Sequence, residues 1–176
     1  MSNINIEFNI KNKSWLKYDK NISVSISNFL EEVSRKIKLN RILKKNINIE
    51  ISVLLTNNDQ IKELNKNYLY KDKETNILAF PLHDLDLKKN QDVTEYLFDN
   101  SLILGDLVLS LEYIQNEALK QGKLIDHHLK HLLLHGLLHL IGYDHIESKE
   151  REEMERLEIK ILEESNISDP YADNQT

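Results

Sequence analysis

The sequence predicts an α+β protein, with helices packed on a mixed sheet of about four strands. Three observations carry this. Short runs alternate apolar and polar residues with period two. Longer runs repeat their apolar residues at helical spacing. The two kinds are mixed along the chain without the strict alternation that builds a doubly wound sheet. The 176 residues are 40% hydrophobic and 30% charged, which suits a folded domain and is too apolar for a disordered chain. A single domain is expected over residues 1–165, followed by a disordered tail at 166–176.

The elements follow in order. Ile4, Ile6, Phe8 and Ile10 share one face of a half-buried strand. Ile26, Phe29, Leu30, Val33 and Ile37 predict an amphipathic helix over about residues 25–37. Alternation returns at Ile47, Ile49, Ile51 and Val53. Thr56, Asn57, Asn58 and Asp59 offer several caps for a helix that buries Ile61, Leu64 and Tyr68. Thr75 to Phe80 reads as a short strand stopped by Pro81. Residues 82–100 are polar, acidic and irregular, and a loop of that length is either functional or disordered. Leu102 to Leu109 is an almost unbroken apolar run, read as a strand buried on both faces. Ser110 caps a helix that ends near Gly122; Asp126 caps the next, which stops at Gly142. A last helix, over about 148–164, turns Met154, Leu157, Ile161 and Leu162 to the core.

The chain has no cysteine. That excludes disulfides, thiolate zinc sites, iron–sulfur clusters and thiol nucleophiles. No apolar run approaches the roughly 20 residues of a membrane helix, and the first residues lack a secretory pattern, so a soluble cytoplasmic protein without membrane partners is expected. The net charge is −6, yet residues 1–73 carry +6 and residues 74–176 carry −12. A basic footprint for nucleic acid must therefore come from the first part, where Lys62, Lys66, Lys71 and Lys73 are the candidates. A solvated helix face is the competing reading of the same lysines.

Six of the seven histidines fall between residues 127 and 145. His127, His131, His135 and His139 are spaced by four and form a stripe on one helix face. Imidazoles one turn apart can converge on one ion with bonds of about 2.0–2.1 Å. Gly142 can reverse the chain and return His145 to the stripe. His135, His139 and His145 thus predict a metal held by three protein ligands with a fourth position open, on a late helix and the turn after it. His131, Asp144 and Asp106 are candidates to hold a ligand imidazole from behind. His127 and His128, near the helix start, are expected to be solvated. The spacing is also that of metzincin proteases, H-E-x-x-H-x-x-G-x-x-H. Their general-base Glu is replaced here by Gly136, which takes up no proton and suits close passage of another segment.

Residues 135–145, HGLLHLIGYDH, resemble the signature of the YbeY family, H-G-x-L-H-L-x-G-Y-D-H. Asp72 to Pro81, DKETNILAFP, is similar to the family block D-x-x-T-x-V-L-S-F-P, and Leu104-Gly105-Asp106-Leu107 to its L-G-D-I strand. The likeness runs from about Val53 to about Leu162 in the family's order. It implies a single-strand-specific, metal-dependent endoribonuclease acting in maturation of ribosomal RNA, at the 3′ end of the small-subunit RNA, and in ribosome quality control. It implies one Zn(2+) per chain, single-stranded RNA, rRNA precursors and ribosomal particles as partners, and no organic cofactor. Two positions depart from the family. Leu69 follows Tyr68 where members carry an Arg, and Ala79 replaces a Ser. A guanidinium forks onto phosphate oxygens and a leucine does not. Two other readings stay open: a zinc-stabilised ribosome-assembly factor with little or no catalysis, and a different zinc hydrolase with its base elsewhere.

Overall fold

The computed structural model describes residues 4–39, 47–89, 91–144 and 147–172. The two period-two runs form strands β1 (Ile4–Ile10) and β2 (Asn48–Thr56), the short run ended by Pro81 forms β3 (Ile77–Pro81), and the apolar run forms β4 (Ser101–Ser110). The helices are α1 (Ser14–Tyr18), α2 (Ile22–Lys36), α3 (Asn58–Leu69), α4 (Leu111–Lys120), α5 (Ile125–Leu140) and α6 (Ser148–Glu163). The sheet order is β1-β2-β4-β3. β1, β2 and β4 run parallel, while β3 is antiparallel to β4 at the edge. Pro81, which donates no backbone hydrogen bond, is tolerated because it ends an edge strand.

Strand β4 buries Leu102, Leu104, Leu107 and Leu109. Ile103 and Asp106 are exposed, so the expected two-sided burial applies to only part of the strand. Gly105, with φ 138°, accommodates the register shift against β2; a Cβ there would lie 2.1 Å from the Phe80 carbonyl oxygen.

Helix α5 is the centre of the fold. Leu129, Leu132, Leu133, Leu134, Leu137, Leu138 and Leu140 are all buried, and the helix packs on β3, β4, α2, α4 and α6. The close passage expected at Gly136 is present: a Cβ there would meet Leu107 and Ile77 side chains at 2.8 and 2.9 Å. Helix α5 ends where Gly142 takes φ 100°. A Cβ at that position would lie 1.9 Å from the Leu85 carbonyl oxygen. Gly142→Ala is therefore expected to destabilise the fold by roughly 3 kcal/mol or more, since both backbone strain and a clash with main chain are imposed. A urea-unfolding midpoint unchanged from wild type would refute this.

Several details differ from the sequence expectation. Helix α1 was not foreseen; it buries Trp15, whose indole N–H donates to the Thr56 carbonyl at 2.9 Å. Asn57 is the cap of α3, accepting from Gln60 N, but Tyr68, although in line with Ile61 and Asn65, lies at the last turn of the helix and stands 64% exposed, touching the edge of Phe80 with ring centroids 5.6 Å apart. Ser110 precedes α4, yet its hydroxyl donates to Asn58 Oδ1 instead of capping. Asp126 lies inside the first turn of α5 and pairs with Lys130, while Leu124 occupies the cap position. The long loop is pinned through buried Leu85, Leu87 and Val93. The chain after α6 also packs. Ile167 is buried, and Lys123 Nζ donates to the Pro170 carbonyl at 2.6 Å. The disorder expected from residue 166 is therefore not what residues 166–172 show; residues 173–176 lie outside the described residues.

Candidate metal centre and cleft

The histidines on α5 face a groove between that helix, edge strand β3 and the chain after α6. The groove is a cleft of about 600 Å³. It is lined by His128, His131, His135 and His139 on one side and by Asn76, Ile77 and Ala79 on another. The Nε2 atoms of His135 and His139 approach to 3.1 Å, with the rings 4.6 Å apart at their centroids. The other ring nitrogen of His135 donates to Glu158 Oε1 at 2.8 Å. Glu158 comes from α6, and its side chain is fully buried. Its Oε2 accepts from the Tyr171 hydroxyl and lies 3.6 Å from His131 Nε2. His131 Nε2 is in turn 3.1 Å from the Tyr171 hydroxyl oxygen.

The electrostatics follow from this packing. Burial pushes the Glu158 carboxyl up, but its hydrogen bonds and charge interactions with His131 and His135 outweigh that, and it sits at about 2. A fully buried carboxylate is thus ionised across the neutral range and acts only as an acceptor. Burial first, and then the Glu158 charge, raise the Tyr171 phenol far above its usual value, so it stays a donor. A carboxylate behind His135 Nδ1–H fixes the tautomer and leaves the Nε2 lone pair directed outward.

One atom each from His131, His135 and Glu158 lie within 4.8 Å of one another, so these three could hold a metal ion. His135 and His139 also satisfy the donor chemistry of a dication site, with Nε2 atoms close to the roughly 3.3 Å separation that about 2.0–2.1 Å bonds imply at a tetrahedral centre. The structure thus brings together His131, His135 and His139; His145 lies outside the described residues. Asp144 is half-buried in the turn after α5. Asp106 is on the opposite side of the sheet, sharing a surface with Glu7, Asn9 and Phe80, so it does not reach the imidazoles. This follows from parity: Leu107 faces Gly136, so its neighbour faces away.

Lys71 and Lys73 line the cleft. Lys62 and Lys66 instead pair with Asp72 at 3.8 and 2.8 Å and are not among its lining residues. Leu69 forms part of the wall. Sequence reasoning missed Glu158, Tyr171, Lys123 and the Glu117–His128 pair. Glu158 left a signal: it stands one turn after Met154 on the apolar stripe of α6, where a lone charge needs a buried partner. His128, expected to be solvated, is 4% exposed and bonded to Glu117 at 2.6 Å. Helix α4 comes alongside α5 and supplies the carboxylate.

The family model described as Endoribonuclease YbeY matches residues 9–166. A protein of Pseudomonas putida named Endoribonuclease YbeY is 45% identical over 127 residues, covering 72% of this chain and 74% of the relative. One of Zymomonas mobilis with the same name is 40% identical over 158 residues, covering 88% and 80%. A Thermotoga maritima protein solved in solution aligns with TM-score 0.51 and 28% identity, covering 95% of this chain and 97% of that one. With its blocks in order and most of its length matched, this chain belongs to the YbeY family.

Proposed function

We propose that this protein is a zinc-dependent, single-strand-specific endoribonuclease of ribosomal RNA maturation, built as one cytoplasmic domain. Its substrates are rRNA precursors, with the 3′ end of the small-subunit RNA and ribosome quality control as its setting. The observation that supports this best is the outward-facing Nε2 pair of His135 and His139, braced by Glu158 and opening on a cleft. His135, His139 and His145 would hold one zinc ion. The alternative donor set, His131, His135 and Glu158, is less suited to catalysis. Glu158 is sealed from solvent and its second oxygen is taken by Tyr171, which leaves no open position there.

When bound, zinc lowers the pKa of water to about 7 or polarises a phosphoryl oxygen. The chain's own residues do the rest. Glu158 keeps His135 in its ligand tautomer. Lys71, Lys73 and Lys123, which line the cleft, meet the phosphate backbone. The nucleophile is either the RNA 2′-OH or a water; both suit an open cleft. Incubating zinc-loaded protein with a panel of single-stranded RNAs tests the reading. Intact RNA across the panel, with zinc present, would favour the assembly factor with little catalysis.

Leu69 is the specific observation in favour of that second reading, because it places a methyl-bearing wall where the family's Arg would fork onto phosphate. Leu69→Arg is expected to raise RNA cleavage by roughly tenfold or more by stabilising phosphoryl charge. No change in kcat/KM would show that this wall does not limit the reaction.

A further inference from the structure

Glu117, on α4, reaches the cleft near His128, two helical turns from His135. Its Oε2 accepts from His128 Nε2 at 2.6 Å and from Asn76 Nδ2 at 2.8 Å. His128 is almost wholly buried, and Asn76 immediately precedes β3, so the carboxylate is braced by both the helix and the sheet edge. The His128 hydrogen bond holds Glu117 below its usual range despite burial, and Asn76 adds to this. The group is therefore a fixed, ionised acceptor.

Its other oxygen has a different situation. Among the described residues nothing donates to Oε1, whereas Oε2 takes two donors. The side chain keeps 25% exposure and lines the cleft. An ion pair made only to hold α4 against α5 gains nothing from an open oxygen. In a cleft that also carries Lys71, Lys73 and Lys123, a bare carboxylate oxygen repels the phosphate backbone. On RNA it can accept from the ribose 2′-OH, which every nucleotide carries, or from a nucleobase edge, which alone distinguishes bases. Cytosine N4, adenine N6 and guanine N2 are exocyclic amine donors, while uracil offers only its ring N3–H. His128 and His135 are seven residues apart, about 10 Å along the helix. At a rise of about 3.4 Å per stacked nucleotide, the contact falls about three nucleotides from the His135–His139 pair.

We propose that Glu117 Oε1 is a base-reading acceptor that favours an amine-bearing base over uracil at a nucleotide flanking the metal pair. The proposal rests on the RNA reading above for the identity of its ligand. Short fluorescein-labelled oligocytidylate and oligouridylate, which differ at the pyrimidine 4-position, are the probes. Binding to zinc-loaded protein is followed by fluorescence anisotropy, with the intact probe verified on a gel. Wild type is expected to bind oligocytidylate about tenfold more tightly. Glu117→Gln, which presents an amide of the same shape, is expected to bring the two affinities together without altering zinc content. Glu117→Asp keeps the charge but withdraws the oxygen, and is expected to give an intermediate ratio; it serves if the Gln variant melts early. Equal binding by wild type, or a ratio that survives both variants, overturns the proposal. A preserved ratio in wild type together with no cleavage of any RNA would instead remove the ribonuclease reading and leave the base contact standing.

Discussion

His139→Ala is expected to lose bound zinc and to cut single-stranded RNA at least roughly a thousandfold more slowly than wild type. The magnitude follows from the several kcal/mol of transition-state charge stabilisation a metal supplies, at about 1.36 kcal/mol per tenfold in rate. His135 and His139 share one Nε2 contact, so His135→Ala should have the same effect, and the double variant should be little worse than either. Metal analysis and kcat/KM are measured on the same preparations. Full zinc retention in His139→Ala would move the ion to the His131, His135 and Glu158 group and undo the proposed ligand set. Retained cleavage without zinc would undo the metal chemistry itself.

Glu158→Gln carries the second large effect, and it reads out in two ways. The amide cannot accept from His135, His131 and Tyr171 together, so about 2 kcal/mol or more of stability should be lost. Zinc affinity should fall roughly 10–100-fold, because a neutral amide oxygen shared among these donors holds the His135 Nδ1–H less firmly than a carboxylate and makes the ring a weaker ligand. The pH dependence has a definite sign. The folded-state carboxyl sits at about 2, below its ordinary value of 4.5. Its contribution is therefore fully present above that ordinary value and is lost as pH falls from there toward about 2. The stability gap between wild type and Glu158→Gln, measured by urea unfolding in chelator, should narrow across that acid window. A gap that stays constant with pH would mean that Glu158 is not held as a buried carboxylate.

Much of the site could be read in the chain because it is local. His135 and His139 are one helical turn apart, and a helix places such residues on one face whatever it packs against. Gly142 marks the end of α5, and its left-handed conformation could be anticipated from the residue type alone. The period-two runs likewise gave β1 and β2, since alternation reflects a sheet with two unlike faces, and the unbroken apolar run gave β4. The misreadings fall where long-range contacts decide. Tyr171 looked like part of a frayed end, but Ile167 and Lys123 fasten that segment beside α5. Asp106 looked like a partner for histidine, but the parity of β4 turns it to the other face.

The sequence by itself determined the element types, the histidine ladder and the family, because these depend on residue chemistry at short spacing. Only the tertiary structure decided that Glu158 stands behind His135, that Glu117 braces His128, and which lysines face the cleft. Those pairings join residues 11 to 23 positions apart on different helices. Their meeting is set by how α4 and α6 dock on α5, a result of burying apolar faces that no local pattern encodes.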